Sequence, residues 1–175
     1  MKSYVYYGIM SHTVVVANNL RSTHNVGSLL RTAEGLGIDA VYFCGYTPYP
    51  TTDTDDRLPH IARKLTAQIH KTALGAENII RWMHIDTLAL TIDELRQQGY
   101  TIVALEQDQK SVKLSDYVRG DKKIALVLGN ERYGLSDDEL QLVDDIVEIP
   151  MKGSKESFNV VQAAAIAMYA LVNNV

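Results

Sequence analysis

The chain has 175 residues, 46% of them hydrophobic and 22% charged, which fits one ordinary domain that buries its own core without disulfides or metal. Its formal net charge of −4 argues mildly against nucleic-acid binding, which usually leaves a basic footprint, although the local field rather than the total charge decides such binding. The single cysteine, Cys44, excludes an internal disulfide, and the lack of a membrane-length apolar run or a signal-peptide pattern leads us to expect a cytoplasmic protein.

The first part of the sequence alternates strand and helix patterns. Short β-branched and apolar runs predict three strands, at Thr13–Ala17, Ala40–Cys44 and Asn78–Trp82. The apolar spacing over Val26–Ala33 predicts an amphipathic helix that Asn25 caps. Gly35 and Gly37 are expected to end this helix.

The alternation continues after a loop of prolines and small polar residues at 47–53. We expect a helix at Arg57–Leu74 that Pro59 breaks, and a final helix that opens at Asn159. Between them lie predicted helices at Leu88–Gln98 and Ser136–Leu142 and strands at Thr101–Leu105, Lys123–Leu128 and Val147–Ile149. The apolar stripe of the last helix is Val161, Ala164, Ala165, Met168 and Leu171. Such alternation is typical of an α/β fold with a mainly parallel sheet and helices on both faces.

Three segments place small or amide residues where an apolar run meets a helix pattern. The first is Asn25–Thr32, in which the Asn25 amide can donate and accept hydrogen bonds and Gly27 allows a close approach. Arg31 lies outside the apolar stripe, where its guanidinium can face a phosphate. Taken alone, a capped surface helix with a solvated arginine is the simpler explanation of this segment.

The second segment, Leu128–Leu135, runs from a buried strand into a glycine-containing loop. A tight loop at the carboxyl end of a strand is where open α/β sheets bind ligands, and its backbone groups can read an adenine edge. A plain turn explains the glycines and the asparagine equally well. A plain turn explains Glu131 less well, because a carboxylate in a tight loop needs a partner. Arg31 is the natural candidate for that partner.

The third segment is Ile149–Val160, in which a strand ends, a polar stretch follows and a helix starts. Ser157 and Asn159 can cap that helix and also contact a ligand at its N-terminus. Capping alone, with Met151 as part of the core, is an equally good explanation. No single segment is specific by itself.

All three segments in this order, together with Thr72–Glu77, resemble the SpoU/TrmH branch of the SPOUT RNA methyltransferases over roughly Val14–Leu171. The resemblance implies an α/β fold with a deep C-terminal trefoil knot, which no hydrophobic pattern predicts. It also implies S-adenosylmethionine (S-adenosyl-L-methionine) as cofactor, RNA (tRNA or rRNA) as substrate, methyl transfer to a ribose 2′-hydroxyl, and a homodimer whose active sites take residues from both subunits.

Motif matching then suggests individual roles. The polar active-site positions would be Asn25, Arg31, Glu131, Ser157 and Asn159. The cofactor-binding positions would be Leu128, Gly129, Asn130, Ile149, Pro150, Met151, Ser157, Asn159 and Val160. Arg31 matches an arginine that the family proposal treats as a general base. Since arginine stays protonated with a pKa above about 12, we favour a cationic Arg31 that stabilises the developing 2′-alkoxide and holds the neighbouring phosphate. The proton would leave through Glu131 or water.

We expect a single domain over residues 1–175, with a short arm at 1–12 and no separate RNA-binding domain. RNA would then bind the catalytic domain itself, through the basic residues Arg57, Arg63, Lys64, His70, Lys71, Lys152 and Lys155, although a solvated surface explains each of them equally well. Tyr4, Tyr6 and Tyr7 of the arm could stack on bases, but dimer packing or plain exposure is the simpler expectation. Neither DNA nor a membrane is expected as a partner.

Two alternatives stay open at this point. A catalytically silent RNA-binding module has no reason to keep all five polar active-site residues, and methylation of an RNA base is disfavoured only through the resemblance. The five histidines show no metal-ligand spacing, so we expect no metal site. A glycine-rich dinucleotide fingerprint after a strand is absent from the sequence, which disfavours a nicotinamide enzyme.

Overall fold

The computed structural model describes residues 12–173, so Tyr4, Tyr6 and Tyr7 lie outside the described range. A seven-stranded sheet forms its centre, with the order β3-β2-β1-β6-β4-β7-β5. The strands are β1 (Thr13–Asn18), β2 (Ala40–Cys44), β3 (Arg81–Ile85), β4 (Tyr100–Leu105), β5 (Val112–Lys113), β6 (Lys123–Leu128) and β7 (Asp145–Glu148). Every pairing among these strands is parallel, so their carboxyl ends meet at one edge of the sheet.

Helices pack on both faces of the sheet, as predicted. They are α1 (Thr23–Gly35), α2 (Pro59–Ala73), α3 (Leu88–Gln97), α4 (Asp137–Leu140) and α5 (Val160–Asn173), with short 3₁₀ helices at Ala76–Asn78 and Leu114–Asp116. On one face, Val15 and Ala17 share a buried cluster with α1, α2 and α5. On the other face, Val14 and Val16 share a cluster with α3. Each fully buried leucine or isoleucine contributes about 1.5–3 kcal/mol to stability.

The strands with continuous apolar runs were predicted most accurately, because both of their faces are buried. Ala40–Cys44 and Lys123–Leu128 match β2 and β6 residue for residue. The prediction of Asn78–Trp82 as a strand was wrong at both ends, since Asn78 ends a 3₁₀ helix and β3 runs from Arg81 to Ile85. The last predicted strand, Val147–Ile149, corresponds to β7, which begins two residues earlier and ends one residue earlier.

The helix starts required two corrections. Asn25 was predicted to cap α1, but Ser22 is the cap, and its hydroxyl accepts a hydrogen bond from the Asn25 backbone N–H at 3.3 Å. Pro59 was predicted to break α2, but it begins that helix. A proline is tolerated in the first turn because its missing N–H would have no intrahelical partner there.

The two other predicted caps are confirmed. Ser136 forms a capping box with Glu139 at the start of α4. The side-chain oxygen of Asn159 accepts a hydrogen bond from the Val161 N–H at 2.9 Å, which caps α5. In the stripe of α5, Ala167 is buried where Ala165 was predicted, because the helix is rotated slightly from the predicted face.

Gly27 allows α1 and α2 to pack closely. A Cβ at this position would collide with the Thr72 hydroxyl and the Ile69 carbonyl oxygen. The close approach suggested by the sequence is therefore made by a neighbouring helix. It fixes the position of α1, whose first turn contributes to the candidate site described below.

Cys44 at the end of β2 is buried, with its Sγ 3.0 Å from the Thr91 Oγ1. Burial raises the pKa of the thiol to about 11, against a smaller lowering by the Thr91 hydrogen bond. The thiol is therefore protonated at neutral pH. Within residues 12–173, no helix combines the length and the apolar composition needed to cross a bilayer.

Candidate active site

A cavity of about 280 Å³ opens at the carboxyl ends of β4, β6 and β7. This edge of an open parallel sheet is where α/β proteins bind ligands. Seven of the residues predicted for the cofactor or the chemistry line the cavity: Leu128, Gly129, Asn130, Glu131, Ile149, Ser157 and Val160. Four others, Pro150, Met151, Asn25 and Asn159, lie outside its lining, and Arg31 lies in a different groove.

The loop after β6 is closed by its own backbone. Asn130 and Gly134 form an antiparallel bridge with hydrogen bonds of 3.1 and 2.9 Å. A Cβ on Gly129 would lie 2.7 Å from the Gly134 carbonyl oxygen and closer still to its carbonyl carbon. Gly134 itself has φ +64, in the left-handed region that favours glycine. The two glycines are therefore required by the shape of the cavity wall.

The Asn130 side chain holds the same loop in place. Its amide nitrogen donates to the Asn19 carbonyl oxygen at 2.9 Å and to the Tyr46 hydroxyl at 3.0 Å. Its amide oxygen accepts from the backbone N–H groups of Arg132 and Tyr133, at 2.9 and 3.0 Å. Only 8% of the residue is exposed, so these bonds satisfy a buried amide and fix where the loop presents its backbone.

Glu131 binds the start of α1. Its carboxylate accepts hydrogen bonds from the backbone N–H groups of Arg21 and Ser22, at 2.9 and 3.0 Å, and from the Asn25 side-chain amide at 3.0 Å. Partial burial of the carboxylate opposes its charge, but these hydrogen bonds outweigh it and lower the pKa of Glu131. The partner expected from the sequence, Arg31, does not fill this role within the chain.

Asn25 connects Glu131 to the third segment. The side-chain amide of Asn159 donates to the Asn25 side-chain oxygen at 3.4 Å. Asn25, Glu131 and Asn159, which are far apart in sequence, therefore form one chain of polar groups beside the cavity. Ser157 lines the cavity two residues before Asn159. Arg31 lies further along α1, in a groove that it shares with Lys71 of α2.

Sequence reasoning missed several residues of the cavity wall. They are Leu105, Glu106, Gln107, Arg132, Tyr133, Gly134, Glu148, Phe158 and Ala163. Glu106 is the most informative, because its carboxylate accepts from the backbone N–H groups of Leu135 and Gln107, both at 3.0 Å. Its position directly after the predicted strand β4 was a signal that could have identified it, since β4 and β6 are neighbours in the sheet.

The predicted RNA-binding residues fall into two groups. Arg57 is engaged internally, donating to both Asp55 carboxylate oxygens and to the carbonyl oxygens of Tyr49 and Pro50. Its guanidinium holds the pKa of Asp55 well below its usual range. The side chains of the other predicted residues, Arg63, Lys64, His70, Lys71, Lys152 and Lys155, belong to exposed residues. Among residues 12–173, no group of three His, Cys, Asp or Glu side chains is placed to hold a metal ion.

Known proteins share this architecture. An AdoMet-bound rRNA methyltransferase from Sinorhizobium meliloti superposes with a TM-score of 0.77 at 22% identity, covering 93% of this chain and 56% of that one. A TrmH/SpoU tRNA modifying enzyme from A. aeolicus gives a TM-score of 0.74 at 23% identity, covering 93% of this chain and 75% of that one. At such identities the likeness establishes the fold alone.

Similarity in sequence establishes more than the fold. A protein of Staphylococcus haemolyticus named as a TrmH family tRNA/rRNA methyltransferase is 33% identical over 159 residues, or 90% of this chain and 57% of the relative. A Staphylococcus aureus protein of the same name is 31% identical over the same length. The chain thus spans little more than half the length of these relatives. A sequence profile of the SpoU rRNA Methylase family matches residues 12–169, and the chain belongs to that family.

Proposed function

We propose that the chain is an S-adenosylmethionine-dependent methyltransferase that modifies a ribose 2′-hydroxyl of tRNA or rRNA. The observation that carries this proposal is the convergence of the three segments: Gly129, Ser157 and Val160 line one cavity, and Asn25, Glu131 and Asn159 form a polar chain beside it. The acceptor class is supported by the names of the relatives, which are tRNA/rRNA methyltransferases.

The cavity fits a nucleoside cofactor. At about 280 Å³ its volume is close to the lower end for small-molecule sites, about 300 Å³. Leu105, Leu128 and Ile149 supply apolar walls for a base, and the loop after β6 supplies backbone groups for its edge. When bound, S-adenosylmethionine would supply a methyl group on a positively charged sulfur. The role of the chain is then to position the acceptor oxygen, which can provide much of the acceleration.

Glu131 is better suited to positioning than to proton transfer. Its lowered pKa makes it a weak base, and its oxygens are already occupied by Arg21, Ser22 and Asn25. We therefore assign Glu131 the task of orienting Asn25 and the start of α1. Of the two routes for the 2′-hydroxyl proton suggested by the sequence, transfer to water is the one we favour.

Arg31 is assigned as the cation that stabilises the developing alkoxide. It lies in the groove with Lys71 rather than in the cavity of its own chain. This placement supports a homodimer in which each cavity receives Arg31 from the other subunit. The exposed apolar side chains of α5, Ile166 and Tyr169, offer a surface for such an association.

The decisive experiment is methyl transfer from tritiated S-adenosylmethionine to bulk tRNA and rRNA, followed by nuclease digestion and mapping. We expect the label on a 2′-O-methylated nucleotide that resists alkaline cleavage. Label on a base would overturn the ribose assignment. Calorimetry with S-adenosylmethionine is the companion test, and the absence of binding would favour a silent RNA-binding module.

Arg31 and its origin can be tested with variants. Arg31→Ala should lower kcat by about a hundredfold or more while cofactor affinity stays unchanged. Near-full activity of Arg31→Lys across the pH range would show that a guanidinium is not required. Mixing Arg31→Ala with Gly129→Ala subunits should restore activity if the sites are shared, because one site of each mixed dimer is then complete. No recovery in verified mixed dimers would contradict sharing.

A further inference from the structure

A second cavity, of about 520 Å³, lies at the ends of β1, β2 and β3. The loop after β6 separates it from the first cavity. Two contacts form the shared wall: Asn130, which lines the first cavity, donates to the Tyr46 hydroxyl, which belongs to the second. Glu131 of the first cavity likewise binds the backbone of Arg21, which lines the second.

Tyr46 presents its ring to this cavity. The residue is 61% exposed, although it is held at both ends: its hydroxyl accepts from Asn130 at 3.0 Å and its backbone N–H donates to the Asn19 side chain at 3.3 Å. Because the ring is exposed and already fixed, the side chain loses little conformational entropy when another ring stacks on it. Stacking on aromatic side chains is how proteins bind single-stranded nucleic acid without reading its sequence.

The floor of the cavity is internally satisfied. The Tyr49 ring stacks on His84, with centroids 4.1 Å apart, and the Arg57 guanidinium carbon lies 3.6 Å from the Tyr49 centroid. Arg57 is also paired with Asp55. These groups have their partners already, so they form a rigid support rather than ligand contacts.

Arg21 provides a positive charge at the margin of the second cavity. Its backbone N–H holds Glu131, but across residues 12–173 its guanidinium has no hydrogen-bond or ion-pair partner. The residue is exposed at the margin of the cavity. A planar guanidinium in this position suits a phosphate group, to which it can donate two parallel hydrogen bonds.

We infer that the second cavity binds a nucleotide of the acceptor RNA, with its base on the Tyr46 ring and a phosphate at Arg21. This inference rests on the proposed function and adds to it a site for a nucleotide that neighbours the methylated one. The cofactor and this nucleotide would occupy opposite sides of the loop that carries Asn130 and Glu131, so the nucleotide bound here is not the one whose 2′-hydroxyl receives the methyl group. The ligand of this cavity is a nucleoside monophosphate unit, and stacking alone makes the site tolerant of different bases.

The test uses a fluorescein-labelled single-stranded RNA and adenosine 5′-monophosphate as probes. Tyr46→Ala should weaken RNA binding about tenfold, whereas Tyr46→Phe, which keeps the ring, should stay within about twofold of wild type. Arg21→Ala should also weaken binding and reduce its salt dependence by about one phosphate contact. The matched control is Arg81→Ala, which should leave binding unchanged. Arg81 is exposed at the start of β3, and the cavity opens at the other end of that strand.

The outcomes separate this inference from the proposed function. Thermal unfolding first verifies that the variants are folded, and any change in cofactor affinity should be equal in Tyr46→Ala and Tyr46→Phe, because both lose the hydroxyl that Asn130 binds. If the wild type methylates RNA but neither Tyr46→Ala nor Arg21→Ala weakens RNA binding, the inference is overturned while the function stands. If RNA and adenosine monophosphate bind through Tyr46 but no methyl group is transferred, the nucleotide site stands while the function fails. If Arg21→Ala alone weakens binding, the base contact on Tyr46 is excluded and the inference is overturned.

Discussion

The loop at 129–134 and the segment Met151–Phe158 both contribute to the candidate cofactor cavity, but they are held very differently. The loop is fixed by a backbone bridge, by the four hydrogen bonds of Asn130 and by the contacts of Glu131 to the start of α1. The segment is exposed from residue 152 onward. Within the described part of the chain, one side chain forms a hydrogen bond to this segment: the Gln107 amide donates to the Glu156 carbonyl oxygen at 3.1 Å.

This difference indicates that one wall of the cavity is preorganised and the other is adaptable. Regions with few buried contacts and solvent-exposed backbone open at low free-energy cost. Ordering the segment would offset part of the binding free energy of a ligand, whereas the loop is already ordered. Substitutions in the loop should therefore change the steric fit of the cavity and the stability of the fold. Substitutions in the segment should change the mobility of the segment.

The largest contrast is expected between two glycines. Gly129→Ala forces a Cβ against the backbone of Gly134 and should cost about 1–3 kcal/mol of overpacking, with at least about a tenfold loss of cofactor affinity. Gly153→Ala meets nothing within 4 Å and should change stability by less than about 0.5 kcal/mol. Calorimetric titration with S-adenosylhomocysteine and thermal unfolding would measure both. Equal losses in the two variants would remove the distinction between the walls.

A smaller effect is expected for the two glutamates. Glu131→Gln weakens three hydrogen bonds that a carboxylate accepts, and should destabilise the fold by about 1 kcal/mol because the residue is partly screened by solvent. Among residues 12–173 the Glu156 carboxylate has no hydrogen-bond or ion-pair partner, so Glu156→Gln in the segment should be neutral. Denaturant unfolding gives both values. A destabilising Glu156→Gln would show that the segment is held more firmly than its contacts indicate.

The same carboxylate should give the stability a pH dependence. The folded-state pKa of Glu131 lies below its ordinary value of about 4.3, so its contribution is fully present above that pH and is lost as the pH falls through the folded-state pKa. The stability difference between wild type and Glu131→Gln should therefore be largest at neutral pH and shrink in acid. Unfolding curves measured over the acidic range would show this convergence, and parallel curves would contradict it.

The smallest effect concerns the hydrogen bond that joins the exposed segment to Gln107, which follows β4. Gln107→Ala removes the hydrogen bond to the Glu156 carbonyl oxygen, and should alter global stability by less than about 0.5 kcal/mol. It should nevertheless raise the hydrogen-exchange rates of residues 152–158. Gln97→Ala, on the exposed face of α3, is the control that should leave these rates unchanged. Unaltered exchange in Gln107→Ala would mean that the segment is ordered by other contacts.

The sequence was sufficient for the parts of the fold that depend on continuous burial. The runs at β2 and β6 have apolar side chains on both faces and span five and six residues, a length typical of a buried strand and short for a helix. The two-residue strand β5 was missed because Val112 and Lys113 are exposed and carry no pattern. The trefoil knot stays a prediction of the family resemblance, since passage of a chain through a loop leaves no trace in residue order.

Seven of the predicted residues line the candidate cavity, but their contacts were not predicted. Glu131 was recognised as needing a partner, and the charged Arg31 was the obvious choice. The structure supplies instead the backbone N–H groups of Arg21 and Ser22, which any residue except proline could offer at those positions. Because backbone donors have no sequence signature, such partners become visible only when the fold brings them together. The N-cap at Ser22 rather than Asn25 is a consequence of the same arrangement.

The burial of Cys44 makes the protein convenient for spectroscopic labelling. Its thiol is inaccessible and stays protonated at neutral pH, so maleimide and nitroxide reagents should leave it unmodified. Since no other cysteine occurs in the chain, a substitution such as Gly153→Cys would introduce a single reactive position. Probes attached there would report on the motion of the exposed segment directly, without the need to remove a native thiol first.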